Sequence, residues 1–115
     1  MIRPLEGITI LDLSSILMVP YCTRILADLG ADVIKIESLV GDNTRYIGPY
    51  ENKSMGAVFL NLNRNKKSVS VDLKTPKGKE IIFKLIKKSD VFISNIRKSA
   101  LSRLGFDHKT FLKYN

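Results

Sequence analysis

The sequence predicts an α/β fold in which a Rossmann-like parallel sheet is flanked by helices. Two observations support this prediction. Short apolar runs typical of strands alternate along the chain with segments of helical period, in the order expected of βαβ units. A chain of 115 residues with 44% apolar residues also suits one domain with a modest core.

The first βαβ unit lies between Ile8 and Glu37. The apolar run Ile8–Leu13 predicts one strand, and Asp32–Glu37 predicts the next. Between them, Pro20 suits the first turn of a helix and Gly30 suits its left-handed C-terminal cap. The helix is expected to bury an apolar stripe at helical spacing, formed by Cys22, Ile25, Leu26 and Leu29.

A long loop and a third strand follow this unit. Residues 38–56 lack a sustained period and are rich in Gly, Asn, Asp and Ser, so they predict a loop of the kind that is often functional. Val69, Val71 and Leu73 then alternate with polar residues. This alternation predicts a strand over Ser68–Leu73 with one apolar face.

A second long helix and a last strand complete the predicted sheet. Thr75 can cap this helix and Pro76 can open it, with lysines on its outer side. Its buried side is expected to consist of Ile81, Ile82, Leu85 and Ile86. Asp90–Ser94 predicts the strand, and two short helices separated by Gly105 end the chain.

Charge is distributed unevenly along the chain. Residues 1–60 hold 5 Lys or Arg and 7 Asp or Glu, a net charge of −2, whereas residues 61–115 hold 14 and 4, a net charge of +10. A positive field attracts polyanions, but charge alone does not separate nucleic acid, an anionic membrane, a phosphate-bearing cofactor and a solvated surface. Few aromatic residues lie between these cations, which disfavours nucleic acid.

Several classes of protein are disfavoured by composition. One cysteine excludes an internal disulfide framework, and one histidine leaves too few soft ligands for an ordinary zinc site, so we expect no metal. No apolar window approaches the roughly 18 residues of a membrane span, and the first residues lack the apolar stretch of a signal peptide. We therefore expect a cytoplasmic protein with no membrane partner.

Ligands of open α/β folds bind beyond the carboxyl ends of the strands. The first loop at this edge, residues 14–19, contains no glycine, so the dinucleotide-binding G-x-G-x-x-G turn is missing and Glu37 is better interpreted as an ordinary strand-end acid. Arg97 and Arg103 follow the last strand, where guanidinium groups either hold phosphate oxygens or remain solvated. We expect them to share a cationic rim on one edge of the sheet with Arg64, Lys66, Lys67 and Lys74.

Cys22 and His108 each have two interpretations. Cys22 lies near a helix N-terminus, where a thiol can become nucleophilic, but its place on the apolar stripe favours a buried packing residue. No acid or nucleophile pattern marks His108 as a catalytic partner, which favours a helix-capping or surface role.

Five segments in order resemble the N-terminal part of the family III CoA-transferases. These enzymes include formyl-CoA, succinyl-CoA and carnitine-type CoA-transferases and the related α-methylacyl-CoA racemases. The resemblance runs from Pro4 to about Tyr114. Its segments are "PLEGITILDLS", "LADLGADVIKIE", "GDNTR", "FLNLNRNKKSVSVDLKTPKGKEI" and "SDVFISNIR…LSRLGF".

The resemblance implies that residues 1–115 form the incomplete N-terminal part of a Rossmann-like large domain. It also implies an interlaced homodimer, CoA or acyl-CoA as a substrate, a carboxylic acid as acceptor, and no prosthetic group. In such transferases an aspartate attacks the acyl-CoA to give a mixed anhydride, and the CoA thiolate then returns to form an enzyme thioester. The acceptor carboxylate takes the CoA through a second anhydride.

Carried over by position, the resemblance implies ten CoA-binding residues. Lys74 and Arg103 suit phosphates, whereas Val71, Leu73 and Ile96 offer apolar walls or backbone groups. The full set is Leu17, Met18, Val71, Asp72, Leu73, Lys74, Asn95, Ile96, Arg97 and Arg103. Two positions depart from the family pattern: Ser38 stands where some members have a cation, and residues 98–99 read Lys-Ser where many have Pro-Gly.

The catalytic aspartate of the family lies downstream of this segment. None of the aspartates in the chain matches its position: Asp12, Asp28, Asp32, Asp42, Asp72, Asp90 and Asp107. We therefore expect no catalytic residue here and an inactive chain, as a fragment of an enzyme or a truncated paralogue. Other hypotheses are a segment of a racemase, in which the CoA site serves proton abstraction, and a non-catalytic association module.

Overall fold

A four-stranded parallel sheet with helices on both faces forms the centre of the molecule, as the sequence predicts. The computed structural model describes residues 2–115. The strands are β1 (Thr9–Leu13), β2 (Asp32–Glu37), β3 (Lys66–Ser70) and β4 (Val91–Ser94), and their order in the sheet is β3-β2-β1-β4. The helices are α1 (Met18–Asp28), α2 (Ala57–Asn63), α3 (Pro76–Ile86), α4 (Lys98–Leu104) and α5 (His108–Leu112).

The register brings the carboxyl ends of all four strands to one edge of the sheet. Leu13 at the end of β1 pairs with Ser94 at the end of β4, and Glu37 at the end of β2 pairs with Ser70 at the end of β3. The loops that follow the strands therefore meet at this edge, which we call the carboxyl edge. The opposite side, where the strands begin, is the amino edge.

The two faces of the sheet differ sharply in polarity. Successive side chains of a strand point to opposite faces. The face covered by α3, α4 and α5 carries the larger apolar core, which includes Leu11, Leu13, Ile36, Val71, Ile82, Ile86 and Phe106. The face covered by α1 and α2 begins with a small apolar cluster, Ile10, Ala27, Ala31 and Val33, and then becomes polar towards the carboxyl edge.

Helix α3 begins where the sequence predicts. The Thr75 hydroxyl accepts a hydrogen bond from the Gly78 N–H at 3.0 Å, and Pro76 occupies the first helical position. Ile82 and Ile86 are buried in the larger core and Leu85 packs against it, but Ile81 is exposed, so its predicted burial is wrong. The capping prediction is confirmed because it depends on local chemistry alone.

The stripe predicted for α1 is wrong at three of its four positions, because only Leu26 packs against the small apolar cluster of the sheet. The helix buries Pro20, Thr23 and Ala27 instead, while Cys22 is exposed and Ile25 is 40% exposed. The cause is a buried hydrogen bond. The Thr23 hydroxyl donates to the buried Asp12 carboxylate at 2.6 Å, and this bond turns the Thr23 side of the helix towards the sheet. The left-handed cap at Gly30, with φ of 106°, is as predicted.

Strand β3 and the segment before it also differ from prediction. β3 begins at Lys66, two positions before the predicted strand, and ends at Ser70. Val71 leaves the ladder after one more backbone hydrogen bond, from its N–H to the Glu37 carbonyl at 2.9 Å, and its side chain is buried in the larger core. The predicted loop contains a 3-10 turn at Asn43–Tyr46, and α2 after it was not predicted.

Two negative observations apply to residues 2–115. Within them, no helix has the length and apolar character needed to cross a membrane. The same residues contain no group of three or more His, Cys, Asp or Glu side chains placed to hold a metal ion.

Candidate functional site

The carboxyl edge carries a groove between the ends of β2 and β3. Its volume is about 400 Å³. Leu104 reaches it from the last turn of α4, which follows β4 on the far side of the sheet, so α4 spans the carboxyl edge. The lining residues are Ser38, Leu39, Val40, Val71, Asp72, Leu73, Lys74 and Leu104.

Four of the sequence-predicted site residues, Val71 to Lys74, form one wall of this groove. Their turn is shaped by Asp72, whose carboxylate accepts a hydrogen bond from the Lys74 N–H at 2.9 Å and whose carbonyl accepts one from the Thr75 hydroxyl at 2.9 Å. Val71 is buried, whereas Lys74 is exposed. The groove thus has apolar walls and a cation at its margin, an arrangement suited to a ligand with an aromatic ring and phosphates.

Three cations predicted at this edge are free to meet an anion. Lys74, Arg97 and Arg103 are exposed and form no ion pair with any carboxylate in residues 2–115. Arg97 is the N-terminal boundary residue of α4, and Arg103 lies in its last turn beside the groove residue Leu104. These side chains are the positive part of the candidate site.

The prediction of a cationic rim is wrong for its other three residues, Arg64, Lys66 and Lys67. Their backbone lies near the amino edge, where β3 begins, and not at the carboxyl edge. Arg64 pairs with Asp28 at 2.7 Å, and Lys67 pairs with Asp32 at the start of β2 at 2.8 Å. The Lys66 side chain is buried and runs beneath α1 and α2. Sequence reasoning placed these cations by proximity in the chain, whereas the strand direction separates them from Lys74.

Leu17 ends the loop after β1 and Met18 is the first residue of α1, with 55% and 82% of their surfaces exposed. Ser15, two residues before Leu17, is joined to Asn95 after β4. The Asn95 amide accepts a hydrogen bond from the Ser15 N–H at 3.2 Å and donates one to the Ser15 carbonyl at 2.8 Å. Asn95 is therefore already engaged with the protein backbone. Ile96 packs against the larger core.

Below the carboxyl edge, on the α1/α2 face, lies a layer of buried charge. It contains three ion pairs: Lys66 with Asp12 at 3.2 Å, Lys35 with Asp42 at 3.0 Å, and Arg45 with Glu37 at 2.7 Å. The Arg45 guanidinium also stacks over Phe59 of α2, 3.7 Å from the ring centre. The layer ties the long loop after β2 to the sheet.

Hydrogen bonds keep Glu37 and Asp42 of this layer ionised. Burial alone would raise the pKa of Glu37, but hydrogen bonds from Arg45, the Asp42 N–H and Ser68 lower the pKa below its ordinary value. The pKa of Asp42 is likewise lowered, because hydrogen bonds from Thr44 and Lys35 outweigh burial. Both side chains are structural anions at neutral pH, and Glu37 is not available to a ribose.

The two residues with alternative interpretations lie outside the groove. Cys22 is on the exposed face of α1, so its predicted burial is wrong. His108 is exposed at the start of α5, where Asp107 provides the cap by accepting a hydrogen bond from the Thr110 N–H at 2.8 Å. Histidine therefore has the predicted surface position.

Sequence reasoning missed the groove residues Ser38 to Val40 and Leu104, and it missed the role of Lys35. One signal was available for Lys35, since a lysine inside the apolar strand "DVIKIE" needs a buried partner. The acid and the arginine of "GDNTR" supply parts of that charge layer. No local pattern indicates that α4 brings Leu104 to the end of β3.

Together these features define an α/β protein whose carboxyl edge has apolar and cationic surfaces suited to an anionic, partly apolar ligand, as in nucleotide-like cofactor binders. The chain belongs to CoA-transferase family III, whose family model matches residues 5–115. It is 45% identical over 109 residues to the succinyl-CoA:glutarate CoA-transferase of Homo sapiens, covering 94% of this chain and 25% of that protein. It is also 45% identical over 108 residues to the formyl-CoA:oxalate CoA-transferase of Bradyrhizobium sp. (strain ORS 278), covering 92% and 25%.

A solved structure shows the same fold. A CAIB/BAIF family protein from Brucella suis superposes with a TM-score of 0.92 at 37% identity, covering 98% of this chain and 31% of that one. The chain spans about a quarter of the length of the curated relatives it matches.

Proposed function

We propose that this chain provides the CoA-binding edge of an acyl-CoA:carboxylate CoA-transferase. The observation that carries the proposal is the groove at the carboxyl edge, whose apolar walls adjoin the free cation Lys74, with Arg103 next in sequence to the groove residue Leu104. CoA combines an adenine ring with a diphosphate and a 3′-phosphate, so it needs both kinds of surface. The names of the two relatives described above, both CoA-transferases, support a transferase rather than a racemase.

Seven of the ten predicted contacts take three roles under this proposal. Val71 and Leu73 wall the ring, and Lys74, Arg97 and Arg103 meet phosphates. Leu17 and Met18 contact CoA from the place where the loop after β1 joins α1. The nucleophile and the acids exchanged are not assigned to any residue of this chain.

Binding of CoA to the full chain is the first test. A ligand present at 100 times its dissociation constant adds about 2.7 kcal/mol to the free energy of unfolding, so CoA should raise the thermal midpoint measurably. Lys74→Ala is expected to weaken binding about tenfold, because a charge-assisted hydrogen bond to phosphate is lost. Differential scanning calorimetry with and without CoA measures the thermal midpoint, and calorimetric titration with CoA measures the affinity.

Lys88→Ala is the matched control, since Lys88 is also an exposed lysine without an ion pair but follows α3, away from the groove. It should bind CoA like the parent chain. An equal loss of affinity in both variants would show that Lys74 acts only through its positive charge and not through a specific contact. Absence of CoA binding by the parent chain would overturn the proposal.

We also propose that the chain associates with a second copy through α1. The face of this helix that the sheet does not bury is apolar: Tyr21, Cys22, Ile25 and Leu29 are exposed along it. Such a continuous apolar stripe is unusual on the free surface of a helix and typical of an interface. Neither nucleic acid nor a membrane is proposed as a partner, because the cations at residues 64–67 are paired with carboxylates.

Association should depend on concentration and on Ile25. Ile25→Glu is expected to yield a monomer in size-exclusion chromatography, because a carboxylate cannot be buried there without a partner. Ile81→Glu is the control, since Ile81 is 43% exposed, close to the 40% of Ile25, but lies on α3. A parent chain that stays monomeric at every concentration would refute the association.

A further inference from the structure

The loop between β1 and α1 is held by side chains from three distant segments. Lys35 of β2 donates a hydrogen bond from Nζ to the Ser14 carbonyl at 2.9 Å. Asn95 forms a pair of hydrogen bonds with the N–H and carbonyl of Ser15. Asp42 accepts a longer hydrogen bond from the Ile16 N–H, at 3.3 Å to the nearer carboxylate oxygen. The backbone of three consecutive residues, Ser14, Ser15 and Ile16, is thus held by side chains from outside the loop.

Ile16 shows why the loop needs this support. Its φ is 71°, in the left-handed region that β-branched residues almost never adopt. Its side chain is 48% exposed, so burial of the isoleucine does not compensate for the unfavourable backbone. Strain of this kind persists only where surrounding contacts impose it, and it concentrates at ligand-binding loops.

Two of the three supporting side chains are themselves rigid. Lys35 and Asp42 are each about 1% exposed and pair at 3.0 Å. Asp42 also accepts hydrogen bonds from the N–H and hydroxyl of Thr44 at 2.9 and 2.8 Å. Its own N–H donates to Glu37 at 2.9 Å, which connects it to Arg45. The supports are therefore in place before any ligand arrives.

We propose that Lys35, Asp42 and Asn95 are positioning residues that hold Ile16 in its left-handed conformation and so present Leu17 and Met18 to CoA. The inference rests on the proposed CoA-binding function. It assigns the Asn95 side chain a positioning role rather than direct ligand contact, because each of its two polar atoms already forms a hydrogen bond with the Ser15 backbone. The three residues act on affinity through the backbone of the loop.

Asn95 offers the cleanest test because it is exposed and uncharged, so its removal leaves no buried ion. Asn95→Ala in the full chain is expected to reduce the affinity for CoA about tenfold, the effect of two lost hydrogen bonds. Asn61→Ala is the matched control: Asn61 is also exposed and accepts one hydrogen bond from Arg24, away from the loop, and its loss should leave affinity unchanged. Circular dichroism checks that every variant is folded at the titration temperature.

Ile16→Gly separates positioning from direct contact. Glycine adopts the left-handed region without strain, so the loop then needs less support. In the Ile16→Gly background, Asn95→Ala should therefore reduce affinity by less than about threefold, and this non-additivity measures the coupling. A residue that touched CoA itself would keep its full effect in either background.

Each result decides the matter. A tenfold loss that shrinks in the glycine background supports the positioning role. The positioning role is overturned if Asn95→Ala leaves the affinity unchanged, or if its tenfold loss persists in the Ile16→Gly background. Either result leaves the proposed CoA binding intact. Absence of CoA binding by the folded parent chain overturns the proposed function, and this inference with it.

Discussion

Replacement of Asp12 by alanine is expected to destabilise the fold by about 3–5 kcal/mol, the usual effect of removing one partner from a buried ion pair. Asp12 is fully buried, and the Lys66 side chain is 1% exposed. Without Asp12, the ammonium group keeps the Pro20 carbonyl and the Asn63 amide as acceptors, at 2.9 Å each, but has lost its counter-ion. Because small domains have a total stability of about 5–15 kcal/mol, the loss is a large part of the whole.

The loss extends beyond the ion pair because Asp12 also organises the loop and helix that follow it. Its carboxylate accepts hydrogen bonds from the hydroxyls of Ser14 and Thr23. The bond to Thr23 orients α1 against the sheet. Removal of the carboxylate leaves the buried Thr23 hydroxyl with the carbonyls of its own helix as its remaining partners.

The penalty should depend on pH. Burial lowers the pKa of Lys66 to about 8 in the folded chain, partly offset by Asp12, whereas an ordinary lysine has a pKa of 10.5. Between these values the unfolded state binds more protons, so the free energy of unfolding of the parent chain rises with pH. Asp12→Ala should lower the pKa of Lys66 further, so the difference between variant and parent should shrink as pH rises towards about 8 and stay constant above it.

Urea unfolding at neutral pH and near pH 9 measures both effects. Asp32→Ala is the control, because Asp32 pairs with Lys67 at 2.8 Å at an exposed position, and such pairs contribute at most about 1 kcal/mol. If Asp12→Ala were no more destabilising than Asp32→Ala, the charge layer would not support the fold.

Gly78→Ala is expected to reverse the usual effect of this substitution in a helix. Alanine is normally about 1 kcal/mol better than glycine inside a helix. Here a Cβ on Gly78 would overlap with the Asp72 carbonyl oxygen, which is backbone and has little freedom to move. We expect a destabilisation of about 1–3 kcal/mol, as for overpacked cores.

The same substitution should weaken CoA binding. Asp72 lies within the segment Val71 to Lys74 that walls the groove, so displacing its carbonyl moves this wall. Urea unfolding and a CoA titration on one preparation test the two effects together. Lys77→Ala, one residue earlier in the same helical turn and exposed, should change stability by less than about 0.5 kcal/mol. If the Gly78→Ala chain were as stable as its parent, the Asp72 turn would shift at little energetic cost and the predicted destabilisation would be wrong.

Local chemistry explains which elements the sequence predicts well. Thr75 and Pro76 begin α3, and Gly30 ends α1 in the left-handed conformation, because caps depend on a few adjacent residues. The predicted parallel sheet follows from alternating strand and helix patterns. Four of the predicted site residues, Val71 to Lys74, lie together in the groove because they are consecutive in the chain.

Pairings between distant residues explain where prediction failed. Lys66 and Asp12 are 54 positions apart, so no local pattern shows that this lysine is buried. The buried face of α1 followed the hydrogen bond of Thr23 rather than the apolar stripe through Cys22. Apolar periodicity cannot report a polar partner supplied by another strand.

The sequence by itself determined the α/β class, the capped helices and a cation-rich second half, because propensity, caps and charge are properties of short segments. Only the tertiary structure decided which cations face a ligand. Strand direction places Lys74, Arg97 and Arg103 at the carboxyl edge, free of carboxylates, and gives Lys66 and Lys67 acidic partners. The same packing holds Ile16 in a backbone conformation that no isoleucine adopts without outside support.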